Sequence, residues 1–144
     1  MDAKYKKADS IAEFIDAIRI RVEVFIKEHG SEAGWEPDEK DKDATHFIAI
    51  VKGNIVSTAR LLETAKQEFK IERMATLKGY RKKGVTRGLV GFVVKEAVKK
   101  KPKRIWMQAQ VQAKGFYEKC GFKAVSMAYD LYGIQHLDME YRFR

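Results

Sequence analysis

The chain has 144 residues, 45% of them hydrophobic, with two prolines and one cysteine, and 29 Lys and Arg against 20 Asp and Glu give a formal net charge of +9. That length suits one domain, residues 1–144, with a core that needs no staples, and the composition excludes disorder. One cysteine excludes an intramolecular disulfide, no CxxC or HExxH spacing points to a metal, and no apolar run approaches membrane-spanning length, so a metal-free cytoplasmic protein with no membrane partner is expected.

In chain order, Lys4 to Lys7 alternate weakly and predict a short edge strand. Ser10 and Glu13 have the spacing of a capping box. Ile11, Phe14, Ile15, Ile18, Val22, Phe25 and Ile26 then recur at helical spacing, which predicts a helix to about Glu28. Gly30 to Ala44 is polar and acidic, with Gly34, Trp35 and Pro37, and predicts a loop or a broken short helix. His46 to Val51 and Ile55 to Leu62 flank Gly53-Asn54, a hairpin signal. Glu63 to Glu68 predicts a second turn and Phe69 to Leu77 a third strand. A long helix is predicted from about Gly84 to Lys100, stopped near Pro102. Ile105 to Gln110 follows as a strand, Ala113 to Lys119 as a short helix ended by Gly121, and Phe122 to Tyr129 and Leu137 to Phe143 as the last strands. The order is βαβββαβαββ, a mixed β-sheet flanked by helices in the α/β (α+β) class, with no internal repeat or linker.

The segment IERMATLKGYRKKGVTRGLVGFVV, Ile71 to Val94, is the most informative. It reads as strand, basic glycine-containing loop and helix. The first N–H groups of a helix lack intrahelical partners and lie at the positive end of its dipole, so an anion is held well there. Gly84 lets backbone approach a ligand, and Arg81, Lys82, Lys83 and Arg87 add positive charge. The loop reads as a pyrophosphate seat, although it is neither GxxxxGK[ST] nor GxGxxG. The competing reading is a solvated basic loop. A second cationic group, Lys95 to Arg104, is most simply the polar end of the helix. Cys120, in KCGF, reads as a small buried thiol.

Order and motifs together resemble the GNAT acetyltransferase superfamily over nearly the whole chain. RKKGVT, Arg81 to Thr86, is similar to its acyl-CoA loop, Q/R-x-x-G-x-G/A, and AQVQAKGFYEKCGF, Ala109 to Phe122, to its following strand and helix. IRIRVEVFIKEHG, DEKDKDATHF and GIQHLDM resemble a small bacterial GNAT subgroup of poorly defined substrate. One position departs: the last motif residue, normally Gly or Ala, is Thr86, whose β-branched side chain would either crowd a pyrophosphate or donate a hydrogen bond to it.

The resemblance implies direct transfer of acetyl from acetyl-CoA, as acyl-donor substrate, to an amine in a ternary complex. It implies that the loop from Arg81 through Lys82, Lys83, Gly84, Val85, Thr86 and Arg87 holds the pyrophosphate. Met74, Ala75 and Thr76 would pair with the pantetheine arm, and Met74 or Ala75 N–H would stabilise the thioester oxyanion. Tyr117, the tyrosine of the FY pair, would protonate the departing thiolate. Glu72 is one candidate base for the amine, against an ion pair with Arg73, Arg60 or a lysine across the sheet. His46 and His136, each at the start of a predicted strand, are further candidates for base or substrate contact, and each is as readily structural. Asp38, Glu39, Asp41 and Asp43 form an acidic loop that would suit a cationic amine, though a merely solvated loop is the simpler reading. Trp35 is an aromatic wall or an anchor for that loop. A homodimer is compatible with the resemblance. Two rivals remain: a GNAT fold that binds CoA without transferring acetyl, and a basic nucleic-acid-binding module. The second is disfavoured, because no helix-turn-helix or RNA-binding signature occurs and aromatics do not interleave with the cations.

Overall fold

The computed structural model describes residues 1–31 and 36–143, so the role expected of Trp35 lies outside the described residues. Strands β1 (Lys4–Lys7), β2 (Thr45–Val51), β3 (Asn54–Ala65), β4 (Glu68–Thr76), β5 (Arg104–Gln110), β6 (Phe122–Ala124), β7 (Tyr129–Leu131) and β8 (Ile134–Tyr141) form one sheet. Its order is β1-β2-β3-β4-β5-β8-β6, with β7 also pairing β8. Neighbours are antiparallel except β4 and β5, which are parallel. The helices are α1 (Ile11–Arg21), α2 (Val85–Val98) and α3 (Lys114–Lys119).

Helix α1 starts where expected: the Ser10 hydroxyl accepts the Glu13 N–H at 3.1 Å. The reciprocal arm of the box lands one residue early, on the Asp9 N–H at 2.9 Å. The helical run does reach Glu28, but Val22–Glu28 widens into a π-helix. Such an insertion rotates the side chains beyond it and is frequent at functional sites.

The turns are tighter than predicted. Lys52 and Gly53 both have positive φ, so they, and not Gly53-Asn54, make the first hairpin turn. The second shrinks to Lys66 and Gln67, because Glu63 pairs with Phe69 and Ala65 with Glu68. The predicted strand Phe122 to Tyr129 is two pieces, β6 and β7. A hairpin turn at Tyr132 (φ 52°) and Gly133 (φ 83°) then leads into β8, which starts at Ile134 and not at Leu137. The order therefore ends in three strands.

The main core lies between α2 and one face of the sheet. Leu89, Val90, Val93 and Ala97 meet Phe47, Ala59, Leu61, Ile71, Ile105 and Met139, all buried. Withdrawing each large side chain of this kind from water contributes ~1.5–3 kcal/mol. On the opposite face, Ile20 and Val24 of the first helical segment pack on Ala75. Strand β4 supplies both faces by changing parity. Ile71 belongs with α2 and Ala75 with the first helix, because Arg73 and Met74 together stand opposite Ala59 in a β-bulge. Arg73 has a left-handed backbone (φ 51°), as the first residue of a G1-type bulge does.

Candidate active site

Strands β4 and β5 pair only from Glu68 to Lys70 and from Arg104 to Trp106. Beyond that the bulge bends β4 away. A cleft of about 330 Å³ opens between them, lined in part by Phe25, Glu72, Met74, Gln108, Tyr117 and His136. The π-helical segment delivers Phe25, and β8 delivers His136 as the ladder partner of Gln110.

The expected anion seat lies just past the end of β4. Gly84, in the left-handed region (φ 86°), is the N-cap of α2, so Val85, Thr86 and Arg87 begin the helix. The Gly88 N–H is already bonded to the Gly84 carbonyl at 3.0 Å. Lys82 (φ 59°) is also left-handed, and a chain that alternates in this way turns successive N–H groups toward one concavity. Arg81 is not a free cation. Its guanidinium grips both oxygens of Glu28 at 2.6 and 2.8 Å, and its Nε donates to the Thr76 carbonyl at 2.9 Å, tying the loop to the π-helix. Lys83 caps the Gly79 carbonyl at 3.0 Å.

Thr86 resolves its two alternatives in a third way. Its hydroxyl is 2.7 Å from that of Thr76, which is 2.7 Å from that of Ser57, which donates to the Ala75 carbonyl at 3.1 Å. A carbonyl only accepts, so one direction satisfies every contact: Thr86 donates to Thr76, and Thr76 to Ser57. The Thr86 proton thus points into the fold and fastens the first turn of α2 to β3 and β4.

The acidic loop is not merely solvated. Glu36, Asp38 and Asp41, with Glu72, face Arg21, Arg60, Arg73 and Lys70 in one network of four carboxylates and four cations. Arg21 and Arg60 are 1% and 2% exposed. Arg21 holds Asp41 through two hydrogen bonds, at 2.8 and 3.0 Å. Arg60 reaches Asp38 at 2.6 Å, Asp41 at 2.8 Å and Glu72. Arg73 Nε lies 2.9 Å from Glu36 without aiming its N–H at it, and its Nη2 donates to Asp38 at 3.1 Å. Burial pushes the Asp38 and Asp41 carboxyls up, but the guanidinium hydrogen bonds outweigh it and hold both below the ordinary range. Among the described acidic residues of the loop, only Glu39 and Asp43 are exposed.

Glu72 does line the cleft, but its carboxylate is engaged by Arg60 and by Lys70 at 3.0 Å. Burial raises its pKa; Arg60 and Lys70 outweigh that and leave it lowered. A carboxylate so held is a poor proton acceptor. His46 is not among the residues that line the cleft. It is buried against the edge of Phe14, with Nε2 donating to the Asp41 carbonyl at 3.0 Å, and burial lowers its pKa. Tyr117 lines the cleft with its hydroxyl 3.5 Å from Met74 Sδ; burial, with a smaller contribution from Cys120, pushes its pKa up to about 12.

Sequence reasoning missed Arg21, Lys70 and Gln108 as parts of this region, and it offered Arg73 as a partner for Glu72, whereas Arg73 pairs with Glu36 and Asp38. Arg21 carried a signal, because it continues the apolar stripe of Phe14 and Ile18 at helical spacing. A charged residue there needs buried counter-charges. Arg60, inside the apolar run Ile55 to Leu62, carried the same signal.

A family model described as acetyltransferase (GNAT) domain matches residues 5–143. A protein of Bacillus subtilis (strain 168), provisionally named an acetyltransferase, is 34% identical over 137 residues, which cover 93% of this chain and 92% of that protein. The crystal structure of a provisionally named N-acetyltransferase from Lactobacillus plantarum superposes with a TM-score of 0.89 at 26% identity, covering 96% of this chain and 97% of that one. An aminoglycoside 6′-N-acetyltransferase complexed with coenzyme A shares the fold, with a TM-score of 0.77 at 13% identity, covering 97% of this chain and 96% of that one. The chain belongs to the GNAT acetyltransferase family.

Proposed function

We propose that the protein transfers an acetyl group from acetyl-CoA directly to an amine of a small molecule or peptide in a ternary complex. The observation that carries this reading is the cleft where β4 parts from β5, with the N-terminus of α2 just past its end and the Tyr117 hydroxyl on its wall. A coenzyme A complex of a protein with this fold supports it. The pyrophosphate sits on the N–H groups of Val85, Thr86 and Arg87, with Lys82, Lys83 and Arg87 supplying charge. Arg81 shapes the loop through Glu28. The pantetheine arm runs along the backbone of Met74, Ala75 and Thr76, and a Met74 or Ala75 N–H receives the thioester oxygen as it becomes an oxyanion.

Tyr117 gives its proton to the departing thiolate. With a pKa of about 12 it is protonated at neutral pH, and its present acceptor, a thioether sulfur, is weak enough to be exchanged for a thiolate. Glu72 holds Lys70 and Arg60 in place; the amine proton goes elsewhere. The test is release of free thiol from acetyl-CoA in the presence of spermidine, a lysine peptide, an amino sugar or phenethylamine. Release that depends on at least one amine is expected. A rate equal to that of acetyl-CoA alone with every amine would overturn transfer in favour of a protein that only binds CoA.

A further inference from the structure

Glu72, on the cleft wall two residues before Met74, is held by two cations, and His46 is packed away from the cleft. One titratable side chain on the cleft wall is set up differently. His136 lies on β8 between Gln110 of β5 and Tyr129 of β7, and it lines the cleft with Tyr117 and Met74. Its Nδ1 is 2.8 Å from the carbonyl oxygen of Ile134. A carbonyl has no proton to give, so Nδ1 carries the hydrogen in the neutral ring. The lone pair is then on Nε2, and among the described residues no hydrogen bond engages that atom.

The ring is also held. Tyr129 stacks on it with centroids 6.5 Å apart and planes at 25°. The Tyr129 hydroxyl is in turn fixed to Asp138 at 2.5 Å. The charged groups around His136 are otherwise occupied. Asp138, two residues along β8, accepts the hydrogen bond of the Tyr129 hydroxyl, and Asp130 on β7 accepts the Gly133 N–H at 3.2 Å. Across the cleft Lys70 donates to Gln108 at 2.7 Å and pairs with Glu72. The backbone thus fixes one tautomer, the stacked tyrosine fixes the plane, and among the described residues no donor occupies the Nε2 lone pair.

We infer that His136 Nε2 is the general base of the reaction proposed above, and this inference rests on that reading. Nε2 takes one proton from the ammonium of the acceptor. The freed nitrogen lone pair attacks the thioester carbon, a C–N bond forms, and the carbonyl electrons move to oxygen. When they return, the C–S bond breaks and the thiolate leaves with its electron pair, taking a proton from Tyr117. The second nitrogen proton leaves through solvent, which restores Tyr117, and imidazolium returns its proton to water. The sum is amide, CoA thiol and one released proton.

Two measurements test this on the full chain. Nitrogen-15 NMR of the imidazole needs no acceptor and should find neutral His136 protonated at Nδ1; protonation at Nε2 would overturn the assignment. Kinetics with whichever amine of the panel turns over should find His136→Gln slowed ~10²- to 10⁴-fold at neutral pH. The acidic limb of its rate profile should be gone, its acetyl-CoA affinity unchanged, and the deficit should shrink as rising pH supplies free amine. A variant with the wild-type acidic limb, or one equally impaired at all pH, would overturn the base role alone. Wild-type protein inactive on every amine would instead overturn the transferase reading, and the tautomer measurement would still decide how His136 is set.

Discussion

Arg60 and Glu72 stand directly opposite each other in the antiparallel ladder of β3 and β4, and two nitrogens of the guanidinium meet one carboxylate oxygen. The pair joins the buried charges behind the cleft to the cleft wall itself. Truncating one member of a buried ion pair leaves the other charge uncompensated, which typically costs ~3–5 kcal/mol. Arg60→Met should therefore destabilise the protein on that scale in chemical denaturation. A loss under about 1 kcal/mol, the scale of an exposed pair, would contradict the buried-network description.

The same network makes the fold acid-sensitive. Asp38, Asp41 and Glu72 all have lowered pKa values. A carboxylate depressed in the folded state stabilises it above the unfolded pKa, and that contribution is lost as pH falls from the ordinary value through the folded one. His46, lowered by burial, acts in the same direction, because protonation favours the unfolded chain. Thermal melts should thus decline from about pH 6.5, the ordinary histidine value, and steeply below about pH 4–5. Asp41→Asn should lower the melting temperature at pH 7 and flatten that decline. A wild-type melting temperature constant from pH 7 to pH 3 would contradict this.

Gly88 is a packing glycine. A Cβ built there would stand 1.9 Å from the Tyr5 hydroxyl oxygen and 2.4 Å from its ring carbon. That hydroxyl donates to the Val85 carbonyl at 3.2 Å, so β1 docks on α2 through this contact. Ala is the better helix former by ~1 kcal/mol, yet overpacking costs ~1–3 kcal/mol. Gly88→Ala should be net destabilising, and combining it with Tyr5→Ala should cost less than the sum of the two. Additivity within ~0.5 kcal/mol would contradict the clash.

Tyr117→Phe keeps the ring and removes the hydroxyl. If that hydroxyl protonates the thiolate, turnover should fall roughly 10- to 10³-fold with CoA affinity little changed. Unchanged turnover would remove Tyr117 from the chemistry and leave it as a packing residue beside Phe116 and Phe122.

The sheet and helices were legible because their apolar periodicities are strong, and the glycine-capped start of α2 because its glycine and cations are contiguous. The bulge at Arg73 was not legible: a left-handed arginine in a strand has no local signature, and the parity change it makes depends on the pairing with β3. The charge network was hidden for a related reason. Its members are far apart in sequence, Arg21 with Asp41 and Arg60 with Asp38, so the acidic loop looked solvated until its partners were in place. The turn at Tyr132 and Gly133 was missed because it lacks the Asn-Gly or Asp-Gly pair that marks such hairpins.

Seating of the acetyl-CoA pyrophosphate on the loop before α2 is tested by calorimetric titration with acetyl-CoA at low salt. Saturable one-to-one binding is expected, and Gly84→Asp should weaken it strongly. That change puts a side chain in a left-handed position and a like charge beside the pyrophosphate. No binding at millimolar acetyl-CoA, or equal affinity in Gly84→Asp, would contradict it.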